Sequence, residues 1–150
     1  RLFMKSTLII GIGNSGRQDD GLGWAFLEEI EQKSQDLCDF EYRYQLQIED
    51  AELISHYERV LFVDADLNKH KQGFEFRPVP ALSGTSFTTH EMSPGNVLDL
   101  CQKIYTKSPD CFMLAISGVS FELELGLTDT GARNLLNSLY YFEKEFLVTG

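Results

Sequence analysis

The sequence of 150 residues lacks the features of a membrane-spanning or nucleic-acid-binding protein. Its 13 Lys and Arg are outnumbered by 23 Asp and Glu, which gives a net charge of −10. Nucleic acids and anionic membranes both attract clustered positive charge, so this balance argues against either partner. No apolar run approaches the roughly 20 residues that a transmembrane helix needs, and no signal peptide is visible. We therefore expect a cytoplasmic protein.

Cysteine is scarce, and no low-complexity tract, repeat or Pro/Gly-rich linker divides the chain. The three cysteines, at positions 38, 101 and 111, have no C-x-x-C spacing. That pattern suits a reducing compartment, where such residues are small buried hydrophobes. One domain spanning residues 1–150 is the economical interpretation. Because the chain begins with Arg1-Leu2-Phe3, we expect these residues to precede a natural start at Met4.

Short apolar runs alternate with amphipathic stretches along the chain. The predicted strands are Thr7–Ile10, Glu41–Ile48, Val60–Val63, Gly73–Val79 and Cys111–Ile116. Predicted helices begin near Asp19, at Glu49 or Asp50, after Ser93-Pro94 and after Thr128. Repeated β–α units predict an α/β fold: a single three-layer domain whose mostly parallel, twisted sheet of about five strands carries helices on both faces.

Three polar clusters follow predicted strands or precede a helix: Gly11–Asp20, Asp64–Asp66 and Thr88–Glu91. In open α/β sheets, ligands bind in the crevice beyond the carboxyl ends of the strands. The sequence therefore predicts that function resides at this edge of the sheet.

The segment Gly11–Gly16 formally matches the dinucleotide fingerprint G-x-G-x-x-G. That fingerprint sets a diphosphate on the next helix N-terminus, where Asp19 and Asp20 would repel it. The glycines are better explained by a tight turn and a close backbone approach, although a nucleotide-binding regulatory domain stays an alternative. P-loop and Gly-x-Ser-x-Gly motifs are absent. His90 begins like the zinc-peptidase motif H-E-x-x-H, but Pro94 occupies the position of the second histidine.

The remaining candidates for chemistry are carboxylates and one imidazole, namely Asp19, Asp20, Asp64, Asp66 and His90. This set suits a divalent transition metal. Each residue also has a structural interpretation, such as a helix cap, a first-turn charge or a satisfied loop histidine. The structural interpretation is weakest for Asp64, because a carboxylate that directly follows a buried apolar run needs a reason to be there.

Four segments in order resemble the hydrogenase maturation endopeptidases, which remove the C-terminal extension from the large subunit of nickel–iron hydrogenases. The segments are Gly11–Asn14, Asp19–Gly23, Phe62–Ala65, and His90 with Ser93-Pro94. The resemblance continues into the late segment from Gly118 to Thr128.

The resemblance implies that Asp20, Asp64 and His90 are the catalytic and metal-recognising residues, which leaves Asp19 as a helix cap. The nickel ion would arrive on the cysteines of the hydrogenase large-subunit precursor, so the resting enzyme need not contain it. The family is described as acting on its client as a monomer. The general base is not specified; Asp66 and Glu91 are candidates.

Substrate contacts are expected at Gly11, Gly13, Asn14 and Gln45. Two departures from the family pattern bear on them. Asp20 stands where glutamate is usual, and Gln45–Glu49 stands where many members carry Asp-Gly-Gly-Thr. Because Asp20 is one methylene shorter than glutamate, we expect a difference in its reach or metal preference. The second departure suggests a sub-branch with a different hydrogenase client. A non-catalytic nickel-binding assembly factor would use the same acid–histidine set and is the second alternative.

Overall fold

Five strands form one sheet within residues 5–34, 36–83 and 92–147, which are the residues that the computed structural model describes. They are β1 (Thr7–Ile12), β2 (Asp39–Arg43), β3 (Arg59–Asp66), β4 (Phe74–Pro78) and β5 (Asp110–Ser117). The strand order is β2-β1-β3-β5-β4, and every neighbouring pair is parallel except β4 with β5. The predicted α/β fold with a mostly parallel sheet is confirmed.

Helices cover both faces of this sheet. They are α1 (Leu22–Ser34), α2 (Asp50–Ile54), α3 (Pro94–Tyr105) and α4 (Asp129–Tyr141), which a π-helical turn extends over Phe142–Phe146. A 3₁₀ turn, Gln18–Gly21, precedes α1. Within the described residues, none of the helices has the length and hydropathy needed to cross a bilayer.

Alternate residues of the central strands belong to two separate apolar cores. Ile9 and Leu61 pack under α1 and α4 in one cluster, while Ile10 and Phe62 pack under α2 and α3 in the other. A strand buried on both faces reads as a continuous apolar run, which is why these strands could be predicted from the sequence. The predicted edge position of the Gly73–Val79 strand is also correct, since β4 ends the sheet.

The second strand is shorter than predicted. Glu41–Ile48 was expected to be extended throughout, whereas β2 ends at Arg43. Its parallel partner β1 ends at Ile12, which pairs with Arg43, so the chain beyond finds no neighbour in the sheet. Leu46 instead forms an isolated antiparallel bridge with Met92. The alternating pattern therefore continues past the strand because Leu46 is buried in a different contact.

All three cysteines are buried and free, as the sequence predicts. Burial raises the pKa of the Cys38 thiol to about 11, an effect that nearby Arg59 opposes only in part. Burial likewise raises the pKa of the Cys111 thiol to about 12 and raises the pKa of Cys101. These thiols are protonated at neutral pH and act as core side chains.

Candidate functional site

The strand order changes direction between β1 and β3. From β1 the chain passes through α1 to β2 on one side, and from β2 through α2 to β3 on the other. Such a switch point opens a crevice beyond the carboxyl ends of the two strands, where ligands of doubly wound sheets bind. Asp20 follows β1, and Asp64 lies near the end of β3. The topology brings these two carboxylates, which are 44 residues apart in the sequence, to one crevice.

Asp20 and Asp64, which we call the acid pair, line two cavities. The first cavity encloses about 540 Å³ and is bounded by Gly13, by Tyr44–Leu46 and by the start of α3. The second cavity encloses about 690 Å³ and is bounded by Arg17, by Ala65–Asn68 and by Phe121. Because both cavities contain the acid pair, a ligand centred on these two carboxylates can extend in two directions.

Gly13 sets the position of Asp20. Its φ is +143°, a conformation that side chains disfavour, and an added Cβ would lie 2.0 Å from the carbonyl oxygen of Asp20. Because Gly13 has no side chain, the Asp20 carbonyl can lie this close, and it accepts a hydrogen bond from the Asn14 amide over 3.0 Å. The Asp20 amide in turn donates to the Arg17 carbonyl over 3.0 Å. The loop after β1 therefore closes on itself and holds Asp20 at the crevice.

Gly23 allows the start of α1 to approach the sheet at the same edge. An added Cβ would lie 2.5 Å from both the Ile12 and the Val63 carbonyl oxygens. Gly11 supports this approach from the strand, because a Cβ there would lie 2.7 Å from the Gly23 carbonyl oxygen. The two glycines thus serve helix–sheet packing beneath the acid pair.

The acid pair is only partly exposed. Burial raises the pKa of the Asp20 carboxyl, and the charge of Arg17 and the Asn14 amide offset this only in part. Asp64 accepts a hydrogen bond from the Ala65 amide over 2.7 Å through one carboxylate oxygen. A cation in the crevice would lower the pKa of Asp20, whereas an anion would raise it further. The electrostatics of this edge therefore favour a positively charged ligand.

Asp19 does not cap a helix, contrary to our prediction. The 3₁₀ turn has Arg17 at its N-cap position, and α1 begins only at Leu22. The Asp19 side chain is fully buried and faces the segment between β5 and α4. Its carboxylate accepts from the Val119 amide over 2.8 Å and from the amide and hydroxyl of Thr128 over 2.9 and 2.7 Å.

These hydrogen bonds decide the charge state of Asp19. Burial alone would raise its pKa, but the donors of Val119, Thr128 and Ser120 outweigh burial and hold the pKa below its usual value. Adjacent residues of the same turn therefore have opposite environments. Asp19 is a satisfied structural anion, and Asp20 is an under-stabilised anion that lines the crevice.

Asp66, a candidate general base, is held within its own turn. One carboxylate oxygen accepts from the Asn68 amide over 3.0 Å, and the other contacts His70 Nε2 at 2.6 Å. Burial alone would raise the pKa of Asp66, but these hydrogen bonds and the His70 contact hold it below its usual value. The His70 side chain is only 18% exposed, although its neighbours in the sequence are polar. The spacing of four residues between Asp66 and His70 is the sequence signal for this contact.

The predicted substrate-contact residues lie in different places. Gly13 and Gln45 line the first cavity. Gly11 lies within β1 against α1, and the Asn14 side chain accepts from the Gly16 amide over 2.9 Å within the loop. Gln45 is exposed beside the buried Leu46, whose bridge to Met92 forms part of the cavity wall.

His90, the predicted third metal ligand, and Glu91 lie outside the described residues. Among the residues that are described, no group of three or more His, Cys, Asp or Glu side chains is arranged to hold a metal ion. The two predicted carboxylate ligands therefore share a cavity, and the complete predicted set of three stays a prediction.

No protein-family model and no curated protein matches the sequence. Solved structures do match it. HybD, a hydrogenase maturating endopeptidase from E. coli, is 18% identical, with a TM-score of 0.73 over 98% of this chain and 94% of that one. The [NiFe] hydrogenase maturation protease HycI from Thermococcus kodakarensis KOD1 is 18% identical, with a TM-score of 0.72 over 97% and 94%. The chain has the fold of the hydrogenase maturation endopeptidases.

A third structure of this fold, an endopeptidase from Escherichia coli, is 22% identical, with a TM-score of 0.69 over 95% of this chain and 94% of that one. The hydrogenase maturation endopeptidase fold predicted from four short motifs is thus confirmed. In this fold the glycines of the dinucleotide-like segment have other uses. Gly11 lies inside a strand, and the first α-helix starts six residues after Gly16. The dinucleotide fingerprint requires an α-helix N-terminus directly after the last glycine, and this chain has none there.

Proposed function

We propose that this protein is an endopeptidase that removes the C-terminal extension of a nickel–iron hydrogenase large-subunit precursor after nickel has been inserted. One observation carries the proposal. In the hydrogenase maturation endopeptidase fold, Asp20 and Asp64 line the same cavity at the switch point between β1 and β3. Two carboxylates in one crevice form an electrostatic site for a cation.

The cation in this proposal belongs to the substrate. The precursor carries nickel on its own cysteines, and Asp20, Asp64 and His90 complete the coordination of that ion. Carboxylate oxygens and imidazole are suitable ligands for a divalent transition metal. The raised pKa of Asp20 supports this role, because a carboxylate that is poorly stabilised alone gains the most when a cation arrives. The protein thereby detects that nickel insertion is complete.

Hydrolysis would follow from this coordination. The bound ion serves as a template that fixes the precursor, and it acts as a Lewis acid or water activator at one nearby peptide bond. Gly13 and Gln45 line the first cavity beside the acid pair, where an extended tail could contact them. Gly11 and Asn14 would act indirectly, by shaping the loop. We propose that the protein works as a cytoplasmic monomer.

Processing of a purified precursor tests the proposal directly. Nickel-loaded precursor is incubated with the protein, and the loss of the extension is followed by mass spectrometry. Asp64→Asn and His90→Ala are expected to fold normally and to slow processing by about 100-fold or more, since each removes a charge or ligand at the reacting centre. Asp36→Asn, which changes an exposed carboxylate in the turn after α1, is the matched control.

Two outcomes would contradict separate parts of the proposal. Normal processing by Asp64→Asn would refute the site, and equally fast processing of metal-free precursor would refute the detection of nickel. The alternatives have tests of their own. An assembly factor would bind free Ni²⁺ tightly in calorimetry and cleave nothing. A nucleotide-binding regulatory domain would be stabilised thermally by NAD or ATP.

A further inference from the structure

The segment 118–127, which joins β5 to α4, exposes several large apolar side chains. Val119 is 60% exposed, Leu123 is 81% exposed and Leu125 is 82% exposed. The segment has no regular secondary structure, and we call it the 118–127 loop. Single exposed apolar side chains are ordinary, but a contiguous group on one loop commonly marks an interaction site.

Hydrogen bonds hold this loop in place at its start, middle and end. The buried Asp19 carboxylate binds the Val119 amide at one end and Thr128 at the other. In between, the Glu124 carbonyl accepts from the Gln18 amide over 2.9 Å. All these anchors belong to the 3₁₀ turn that also carries Asp20. The backbone that carries the exposed side chains is therefore anchored to the turn of Asp20.

The apolar surface continues into the second cavity. Phe121, in the middle of the loop, lines this cavity together with the acid pair. Leu67, which follows the end of β3, lines the same cavity and is 79% exposed. The Gly118 amide donates to the Asp66 carbonyl over 2.8 Å and joins the loop to this part of the chain. Phe121 and Leu67 thus bring apolar side chains of this region to the cavity that contains the two carboxylates.

Both charged residues within the 118–127 loop are negative, whereas Arg17 is a positive charge at the second cavity. Glu122 and Glu124 alternate with Leu123 and Leu125, and both glutamates are exposed. Interfaces commonly combine an apolar centre with a polar rim, and the potentials of the two partners complement each other. The matching surface on a partner would therefore be an apolar patch flanked by Lys or Arg.

We propose that one exposed apolar surface is the docking site for the hydrogenase large-subunit precursor. This surface, which we call the apolar loop surface, consists of Leu67, Val119, Phe121, Leu123 and Leu125. The inference rests on the proposed function and adds a second point of contact to it. The precursor surface that fits is an apolar patch flanked by basic residues, next to the precursor's metal site. Docking there would hold the metal over the acid pair, because the loop and Asp20 share the anchors of one turn.

Kinetics of precursor processing test the docking site. The double variant Leu123→Ser/Leu125→Ser removes two exposed side chains and is expected to raise KM about tenfold or more, with kcat changed by about twofold or less. The matched control is Leu136→Ser/Ile104→Ser, which changes two side chains that are 66% and 57% exposed on α4 and α3. The control should keep the KM of the original protein. Circular dichroism and urea unfolding verify that both variants fold.

The acidic rim has a separate test. Glu122→Gln/Glu124→Gln is expected to lower the association rate with the precursor several-fold at low ionic strength. The difference should disappear at about 0.5 M salt, where exposed charges are screened. A rate unaffected by both the substitutions and the salt would overturn the charge complementarity.

The outcomes separate this inference from the proposed function. If the original protein does not cut nickel-loaded precursor, the proposed function fails, and calorimetry of precursor binding still decides the docking site. If processing is normal but the Leu123/Leu125 variant matches the control in KM, the docking site is refuted. If analytical ultracentrifugation finds a dimer that the Leu123/Leu125 variant loses, the surface joins two copies of the chain, and the inference is overturned.

Discussion

Thr128 donates two hydrogen bonds to the carboxylate of Asp19, one from its amide over 2.9 Å and one from its hydroxyl over 2.7 Å. The same hydroxyl accepts from the Gly131 amide over 3.0 Å and so caps α4. A residue that begins the last helix is thereby fixed to the turn that carries Asp20. Asp19, which stabilises the fold, and Asp20, which lines the crevice, are therefore adjacent residues of one turn.

Replacing Asp19 by Asn should destabilise the protein. The amide group would present donors to the Val119 and Thr128 donors and would lose charge-assisted hydrogen bonds. We expect the free energy of unfolding to fall by about 1.5–3 kcal/mol, as measured by urea denaturation. Asp36→Asn makes the same charge change at an exposed position and should stay within about 0.5 kcal/mol of the original. Equal stability of the two variants would show that the Asp19 hydrogen bonds contribute little.

The contribution of Asp19 should depend on pH in a defined direction. Because the folded-state pKa of Asp19 is lowered, its stabilisation is complete above the unfolded pKa of about 3.9 and is lost as the pH falls through the folded value. The difference in unfolding free energy between the original protein and Asp19→Asn should be constant from about pH 5 to 7 and shrink below about pH 4. A difference that instead grows in acid would contradict the lowered pKa.

Asp20 should show the opposite dependence. Its folded-state pKa is raised, so ionisation disfavours the folded state once the pH exceeds the unfolded value, and this cost is complete above the folded pKa. Asp20→Asn is therefore expected to be more stable than the original protein at pH 7, with an advantage that disappears below about pH 4. Urea denaturation at several pH values measures this, and precursor processing should be lost. A variant less stable at pH 7 would contradict the assignment.

Gly13→Ala should disturb both the fold and the site. The new Cβ would lie 2.0 Å from the Asp20 carbonyl oxygen at a φ of +143°, so the loop must move. We expect a loss of at least about 2–3 kcal/mol in unfolding free energy, together with slower processing. Gly126→Ala is the matched control, since Gly126 also has a positive φ, +92°, but its added Cβ would meet nothing within 4 Å. Equal losses at both positions would mean that backbone conformation alone matters.

Asp66→Asn distinguishes a structural role from general base catalysis. The lowered pKa of Asp66 and its contacts with Asn68 and His70 make it a poor proton acceptor. We expect the processing rate to change by about threefold or less, whereas removal of a general base costs about 10²–10⁴-fold. Single-turnover assays with nickel-loaded precursor measure the rate. A loss in the larger range would assign Asp66 to the chemistry.

The sheet could be predicted from the sequence because its central strands are buried on both faces. Val60–Val63 and Cys111–Ile116 are such apolar runs, and they fall within β3 and β5. The end of a strand depends instead on its neighbour, which sequence patterns do not contain. The predicted strand Glu41–Ile48 was therefore too long, because β1 offers no partner beyond Ile12.

The same difference between local and distant causes applies to the site. Asp20 and Asp64 could be placed at one crevice because both follow predicted strands of a parallel sheet. The role of Asp19 could not be predicted, since its partner Thr128 lies 109 residues further along the chain. Local pattern made Asp19 look like a helix cap, and the long-range contact gives it a different role.

The buried cysteines have a consequence for metal transfer. A thiol must lose its proton to become a strong metal ligand, and burial raises the pKa of Cys38 to about 11 and that of Cys111 to about 12. With Cys101 also buried and its pKa raised, all three thiols stay protonated near pH 7. In the proposed reaction, none of them competes with the precursor's cysteines for nickel. In that reaction the ion would contact the acid pair and then leave with the matured hydrogenase subunit.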